Sequence, residues 1–123
     1  MTRNTLHKVP ETFFRFLNEL KLYHWRTKRY ARHKATDELY QAFQEFHDRF
    51  IETLMGSTGQ KVMIRNTLPV RVFTDNKAPL LLQEMYEYLM NLNRYKWMKG
   101  DLQNLRDEIC SSLQQTLYLF QLF

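Results

Sequence analysis

The sequence has 123 residues, of which 44% are hydrophobic and 25% are charged, with a formal net charge of +5. This length allows one domain over residues 1–123 with a modest core, and it excludes two domains. The single cysteine, Cys110, excludes an internal disulfide, and three Gly and three Pro are too few for a many-turned β protein.

No segment has the pattern of a targeting signal or a membrane span. Residues 1–14 lack the apolar stretch of a secretory signal peptide, and no apolar run approaches the roughly 20 residues that cross a bilayer. Because one unpaired cysteine also fits a reducing compartment, we expect a protein of the cytoplasm, or of the inside of a virion, that is neither secreted nor membrane-bound.

Two amphipathic helices are predicted in the first half of the chain. The first spans residues 10–29, with Pro10 or Thr12 at its start, and the second spans residues 31–56, ended by Gly56 and Gly59. Apolar residues recur at helical spacing along both segments, so both helices are expected to face one core. In the second helix this stripe consists of Leu39, Phe43, Phe46, Phe50 and Leu54.

The second half of the chain begins with a long connection. Residues 57–77 contain β-branched residues and Pro69, and a connection of this length is expected to pack across the other helices. Two further helices are predicted over residues 78–97 and 101–122, separated by Gly100. The sequence therefore predicts an all-α four-helix bundle with a long connection between helices two and three.

Metal-ligand residue types cluster on one face of the second helix. With His33 at zero and about 100° per residue, Asp37 lies near 40°, Asp48 near 60° and Glu52 near 100°. His33 with Asp37, and Asp48 with Glu52, are each four residues apart, a spacing that lets two side chains reach one ion. The alternative is an ordinary solvent-exposed face, where Asp and Glu are common.

Distance along the helix predicts how such a site would be assembled. Asp37 and Asp48 lie about 16 Å apart at 1.5 Å per residue, so one chain cannot bring both pairs to one ion. Two copies packed antiparallel about a two-fold axis would create two equivalent sites. The mixture of His and carboxylates suits iron, manganese or zinc better than calcium or magnesium.

The other histidines are interpreted separately. His24 continues the apolar stripe of the first helix, and it is expected either to be buried with one hydrogen-bond partner or to face the same site. His7 and His47 have no comparable partners in the pattern, and we expect both at the surface.

Residues 23–25, Tyr-His-Trp, together with the downstream His and carboxylates, resemble the signature of the Dps mini-ferritins in the ferritin-like superfamily. In that family a His-Trp pair ends the first helix, and a second His is followed at intervals of four, eleven and four by Asp, Asp and Glu. The same intervals occur here from His33 to Glu52. The resemblance therefore implies a ferritin-like four-helix bundle.

The resemblance also implies a function. His24, His33 and Asp37 would be iron ligands from one subunit, and Asp48 and Glu52 would come from its two-fold mate. Trp25 would be a catalytic residue that stands near the iron and traps oxidising equivalents. Family members oxidise Fe(II), usually with peroxide, within a twelve-subunit shell, which implies an assembly ranging from a dimer to a dodecamer. The alternative is a non-catalytic ferritin-like scaffold, for example in a virus particle.

A basic cluster occupies the predicted turn between the first two helices. Interleaved with Tyr30, these cations could bind the phosphates of DNA without sequence specificity. The alternative is that cations here complement the C-terminal end of a helix dipole. The cluster consists of Arg26, Lys28, Arg29, Arg32 and Lys34.

Overall fold

Four α-helices make up most of the molecule. The computed structural model describes the backbone of residues 3–122 and the side chains of residues 6–122. Within that part there is no strand, so the all-helical expectation is confirmed. A 3-10 turn, Leu92–Arg94, follows the third helix. The helices are α1 (Arg3–Arg26), α2 (Tyr30–Thr58), α3 (Ala78–Asn91) and α4 (Asp101–Phe120).

The helices pack as a bundle in which each one contacts two others. α1 lies against α2 and α3, and α4 lies against the same two, with the most extensive contact between α2 and α4. Among the described residues, no helix is long and apolar enough to cross a membrane.

Aromatic rings fill the centre of the bundle. Phe13 on α1 makes edge-to-face contacts with Phe43 and Phe50 on α2, with centroid distances of 5.5 and 5.6 Å. The ring centroid of Phe16 lies 4.7 Å from that of Phe43. The apolar stripe predicted for the second helix is buried throughout, because these side chains interdigitate with those of α1.

Two helix limits differ by more than three residues from the sequence expectation. α1 begins at Arg3, so Pro10 lies inside the helix instead of at its start. Proline removes one helical hydrogen bond, but Leu6 and Val9 ahead of it are fully buried, which favours continuing the helix. α3 ends at Asn91 instead of residue 97 because Trp97 and Met98 reach the core from a non-helical turn.

Residues 59–77, here called the connecting segment, run along α1. The backbone N–H groups of Arg65 and Asn66 donate to Glu11 Oε2 at 2.7 and 2.9 Å. Further along, the Arg71 N–H donates to Glu19 Oε2 at 2.9 Å. The expected packing of this connection is thus observed. These backbone N–H groups, which have no strand partner, donate to buried carboxylates of α1.

The expectation that His7 and His47 lie at the surface is wrong. Both are buried. His7 Nδ1 accepts a hydrogen bond from the Met63 N–H at 3.1 Å, which ties the connecting segment to α1. His47 packs edge-on against Phe13 and Phe14, with centroid distances of 5.4 and 4.6 Å, and burial lowers its pKa.

Candidate functional site

The turn between α1 and α2 brings two of the predicted ligands together. His24 lies in the last turn of α1 and His33 in the first turn of α2, and their rings stack with centroids 3.9 Å apart and planes 16° apart. His24 is buried and His33 is exposed. Only three residues separate the two helices, which is why the ends meet so closely.

A hydroxyl group fixes the tautomer of His24. Thr36 Oγ1 has one hydrogen, which it directs to the backbone carbonyl of Arg32 at 2.7 Å. Its oxygen is therefore left to accept, and His24 Nδ1 lies 3.0 Å away as the donor. His24 consequently carries its hydrogen on Nδ1 and a lone pair on Nε2. Burial lowers the pKa of His24, and the neighbouring His33 lowers it further, so the ring is neutral at pH 7.

A carbonyl group fixes the tautomer of His33 in the same way. His33 Nδ1 lies 2.8 Å from the backbone oxygen of His24, which can only accept, so Nδ1 donates when the ring is neutral. Neither Nε2 atom has a hydrogen-bond partner among the described residues. Metal-binding histidines have this arrangement, in which one ring nitrogen donates to a protein oxygen and the other presents its lone pair.

Asp37 lies near these rings, yet one chain does not form a complete metal site. Its carboxylate accepts a hydrogen bond from Gln41 Nε2 at 3.3 Å, and its charge acts on His24. Within the described residues, no three His, Cys, Asp or Glu side chains lie close enough to hold an ion. The stacking explains part of this, because nearly parallel rings cannot both direct an in-plane lone pair at one ion.

Asp48 and Glu52 lie elsewhere, beside an apolar groove. Both are exposed on α2, where Asp48 lies about 16 Å and Glu52 about 22 Å along the helix from Asp37. Both side chains help to line a cavity of about 490 Å³ between α1, α2 and the start of the connecting segment. We call it the apolar groove, and its apolar walls include Phe14, Leu17, Ile51, Met55, Val62 and Met63.

Trp25 points away from the bundle. Its indole is 68% exposed and contacts no other ring or cation in the described part of the chain. The exposed side chain is at the end of α1, next to His24.

The predicted basic cluster divides into exposed and buried members. Arg32 is only 6% exposed, and its guanidinium donates to the Tyr23 hydroxyl and the Phe120 carbonyl, each at 3.0 Å, and to the Asp75 carbonyl. It also covers the Phe120 ring. Arg32 therefore holds the fold together at this end. The exposed members, which form no ion pair with any residue of the described part, are Arg26, Lys28, Arg29 and Lys34.

A group of residues that the sequence did not single out surrounds Arg32. Tyr23 and Thr27 donate their hydroxyl hydrogens to Asp75 Oδ1 at 2.8 and 2.6 Å. These two bonds hold the pKa of Asp75 below its usual range, and the bond from Thr27 has the larger effect. We call Tyr23, Thr27, Arg32 and Asp75 the turn network. Asp75 lies at the end of the connecting segment, and no local spacing could have linked it to α1.

Comparison with known proteins assigns the chain to a family. The sequence model of DUF5856, described as a family of unknown function, matches residues 24–120. The chain belongs to this family. The DUF5856 chain is also 30% identical over 101 residues to the "Uncharacterized 14.6 kDa protein in mobD-ri intergenic region" of Enterobacteria phage T4. That match covers 80% of this chain and 74% of the relative. No solved structure matches.

Family membership corrects one expectation. The expected membership in the Dps mini-ferritins and the ferritin-like superfamily is wrong, because the matching family is DUF5856 and no ferritin-like family is detected. The intervals from His33 to Glu52 span only part of α2, and such a short pattern can occur in an unrelated helix. All the predicted ligand residues of the DUF5856 chain lie within the matched range.

Proposed function

We propose that this DUF5856 chain binds a transition-metal ion at a site completed by two copies. One copy would supply His33 and Asp37, with the His24 ring stacked on His33, and the other would supply Asp48 and Glu52. The observation that carries the proposal is the fixed tautomer of both histidines. Each ring is held through Nδ1 and leaves Nε2 without a partner among the described residues, and this arrangement suits a metal ion.

The need for two copies follows from the spacing on α2. The two ligand pairs share a face of one straight helix but lie about 16 Å apart. A two-fold axis crossing α2 midway between them would bring the first pair of one copy to the second pair of the other, twice per dimer. This would explain why no single chain holds a ligand cluster in its described part.

The donor set suggests which metals would bind. Imidazole nitrogen with carboxylate oxygen suits iron, manganese and zinc better than calcium or magnesium. If the ion is Fe(II), hydrogen peroxide would take one electron from each of two Fe(II) ions and be reduced to water, so a ferroxidase reaction that consumes Fe(II) and peroxide is part of the proposal. The chain's own residues would bind and orient the ion, and the carboxylates would favour the ferric product.

Metal titration of the purified protein tests this proposal. Fe(II) is added without oxygen and followed by calorimetry, and peroxide or oxygen is then added while ferric absorbance is recorded. We expect Asp48→Ala with Glu52→Ala to weaken binding at least about tenfold and to slow oxidation. The matched control removes two exposed carboxylates elsewhere, Glu87→Ala with Glu108→Ala, and should behave as native.

Equal affinities in both double variants would overturn the metal-site proposal. Absence of binding by the native protein would also overturn it. It would favour the alternative function, a non-catalytic helical component of a phage particle, for which the phage relative gives support.

A second proposal concerns nucleic acid at the α1–α2 turn. Residues 25–36 contain no acidic side chain, and Tyr30 is 77% exposed among the unpaired cations Lys28 and Arg29. Ammonium and guanidinium groups neutralise phosphates, and an exposed ring can stack on an unpaired base. We expect salt-sensitive, sequence-independent binding of single-stranded DNA, lost in Lys28→Glu with Arg29→Glu and kept in the control Lys96→Glu with Lys99→Glu.

A further inference from the structure

We propose that Trp25 of one copy docks into the apolar groove of a second copy of this chain. This inference rests on the pairing of two copies in the proposed function, and it names the contact that would hold them together. The reciprocal contact forms at the other end of the pair, so each dimer contains two indoles in two grooves.

The positions of residues along the α1–α2 pair place Trp25 and the apolar groove at opposite ends. At one end of the helix pair, the His24 ring stacks on His33. At the other end, Phe14 lies against His47, which precedes Asp48 by one residue. Trp25 therefore shares a level with the first ligand pair, and the apolar groove shares a level with the second pair. Any antiparallel pairing that joins the ligand pairs brings Trp25 level with the partner's groove.

The chemistry of the two surfaces is complementary. Trp25 is a large apolar side chain with most of its surface in water, and Phe14 and Met63 in the groove are 50% and 57% exposed. Burying an indole in such a groove removes apolar surface from water on both sides. Tryptophan is also the residue type most often found as an energetic centre of protein interfaces.

Charge supports the antiparallel arrangement over a parallel one. At the Trp25 end of the helix pair the exposed cations, Arg26 and Lys34 among them, outnumber the carboxylate of Asp37, whereas Asp48 and Glu52 line the groove end. Antiparallel pairing brings each cationic end to an acidic end, while parallel pairing would set like charges against each other. The same acidic groove would repel an acidic partner, so a second copy with its cationic end is the fitting occupant.

Tryptophan fluorescence tests the docking directly. The chain has two tryptophans, and Trp97 is buried. In a Trp97→Phe variant, Trp25 is the only reporter, and its emission should shift to shorter wavelength and resist iodide quenching as protein concentration rises. If Trp97→Phe does not fold, the difference between native and Trp25→Phe spectra gives the same readout.

Variants of Trp25 and of the groove test where the two copies touch, and sedimentation measures the mass of the assembly in solution. We expect Trp25→Ala and Met63→Glu each to raise the dimer dissociation constant at least about tenfold. Leu80→Glu is the matched control, because Leu80 is an exposed apolar residue on α3 outside the groove. Dimers whose Trp25 emission does not change, or a chain that stays monomeric at all concentrations, would overturn the inference.

The outcomes separate this inference from the metal site. A dimer with a buried Trp25 that binds no metal would leave the docking intact and reject the metal proposal. Metal sites shared between copies whose Trp25 stays exposed would reject the docking alone.

Discussion

His33 donates its Nδ1 hydrogen to the backbone oxygen of His24 at 2.8 Å, so the start of α2 is tied to the end of α1 by a candidate ligand side chain. The same bond orients the ring and decides which nitrogen carries the lone pair. Local structure and candidate chemistry therefore depend on one contact.

Removing the Thr36 hydroxyl should release the tautomer of His24. In Thr36→Val the side chain keeps its shape, but His24 Nδ1 loses its acceptor. Because His24 supports the stacked His33 ring and does not itself face the ion, we expect metal affinity to fall by no more than about tenfold, while the free energy of unfolding falls by about 1 kcal/mol. Cobalt(II) titration and urea unfolding measure the two effects. Ser112→Ala, which removes an exposed hydroxyl bonded to a helix carbonyl, is the control.

Two defective variants should complement each other if the metal site is shared. One lacks His33 and Asp37, the other lacks Asp48 and Glu52, and neither should bind metal alone. After subunit exchange in equal amounts, half of the dimers are mixed, and each mixed dimer has one intact site. We expect about a quarter of the native capacity. No recovery, with exchange verified by mass spectrometry of tagged chains, would contradict sharing.

Arg32 should contribute strongly to stability. Arg32→Met leaves the Tyr23 hydroxyl and the Asp75 and Phe120 carbonyls without their shared donor in a buried place. We expect the free energy of unfolding to fall by about 3 kcal/mol, measured by urea denaturation. Arg29→Met, at an exposed position three residues earlier, should change it by less than about 0.5 kcal/mol. Similar losses in both variants would contradict the structural role of Arg32.

Acid should loosen the connecting segment through Glu11. Backbone N–H groups, that of Asn66 first, lower the pKa of Glu11 below its ordinary 4.5, so the folded state favours the carboxylate. The resulting stability is present above the unfolded pKa and is lost as pH falls through the folded pKa. We expect Glu11→Gln to be less stable than native protein at pH 7, and the difference to shrink as the pH falls through the folded-state pKa of Glu11. Urea unfolding at several pH values measures both proteins, and a difference in the free energy of unfolding that stays constant with pH would contradict this.

Regular periodicity made the helical core predictable. The buried stripe from Leu39 to Leu54 depends only on local spacing, so the sequence identifies it directly. The start of α1 was missed because Pro10 fits a first turn as well as an interior position favoured by buried neighbours. The end of α3 was missed because Trp97 packs into the core without helical geometry.

The candidate site was predictable where contacts are local. A tight turn joins His24 and His33, and the sequence suggested that proximity. The acceptor role of Thr36 depends on side-chain rotation, which spacing does not reveal. Arg32 looked like a surface cation because its partners, Asp75 and Phe120, come from segments 43 and 88 residues away. Metal binding, nucleic-acid binding and a location in the cytoplasm or a particle stay predictions.

The bond from Arg32 to the Phe120 carbonyl also sets an order of events during synthesis. Phe120 is translated 88 residues after Arg32, in the last turn of α4. While the ribosome is still making α4, the guanidinium lacks this acceptor, and the turn that carries both histidines has no anchor there. A nascent chain therefore cannot complete this end of the molecule, and mature metal affinity should arise only after α4 has been released and has docked.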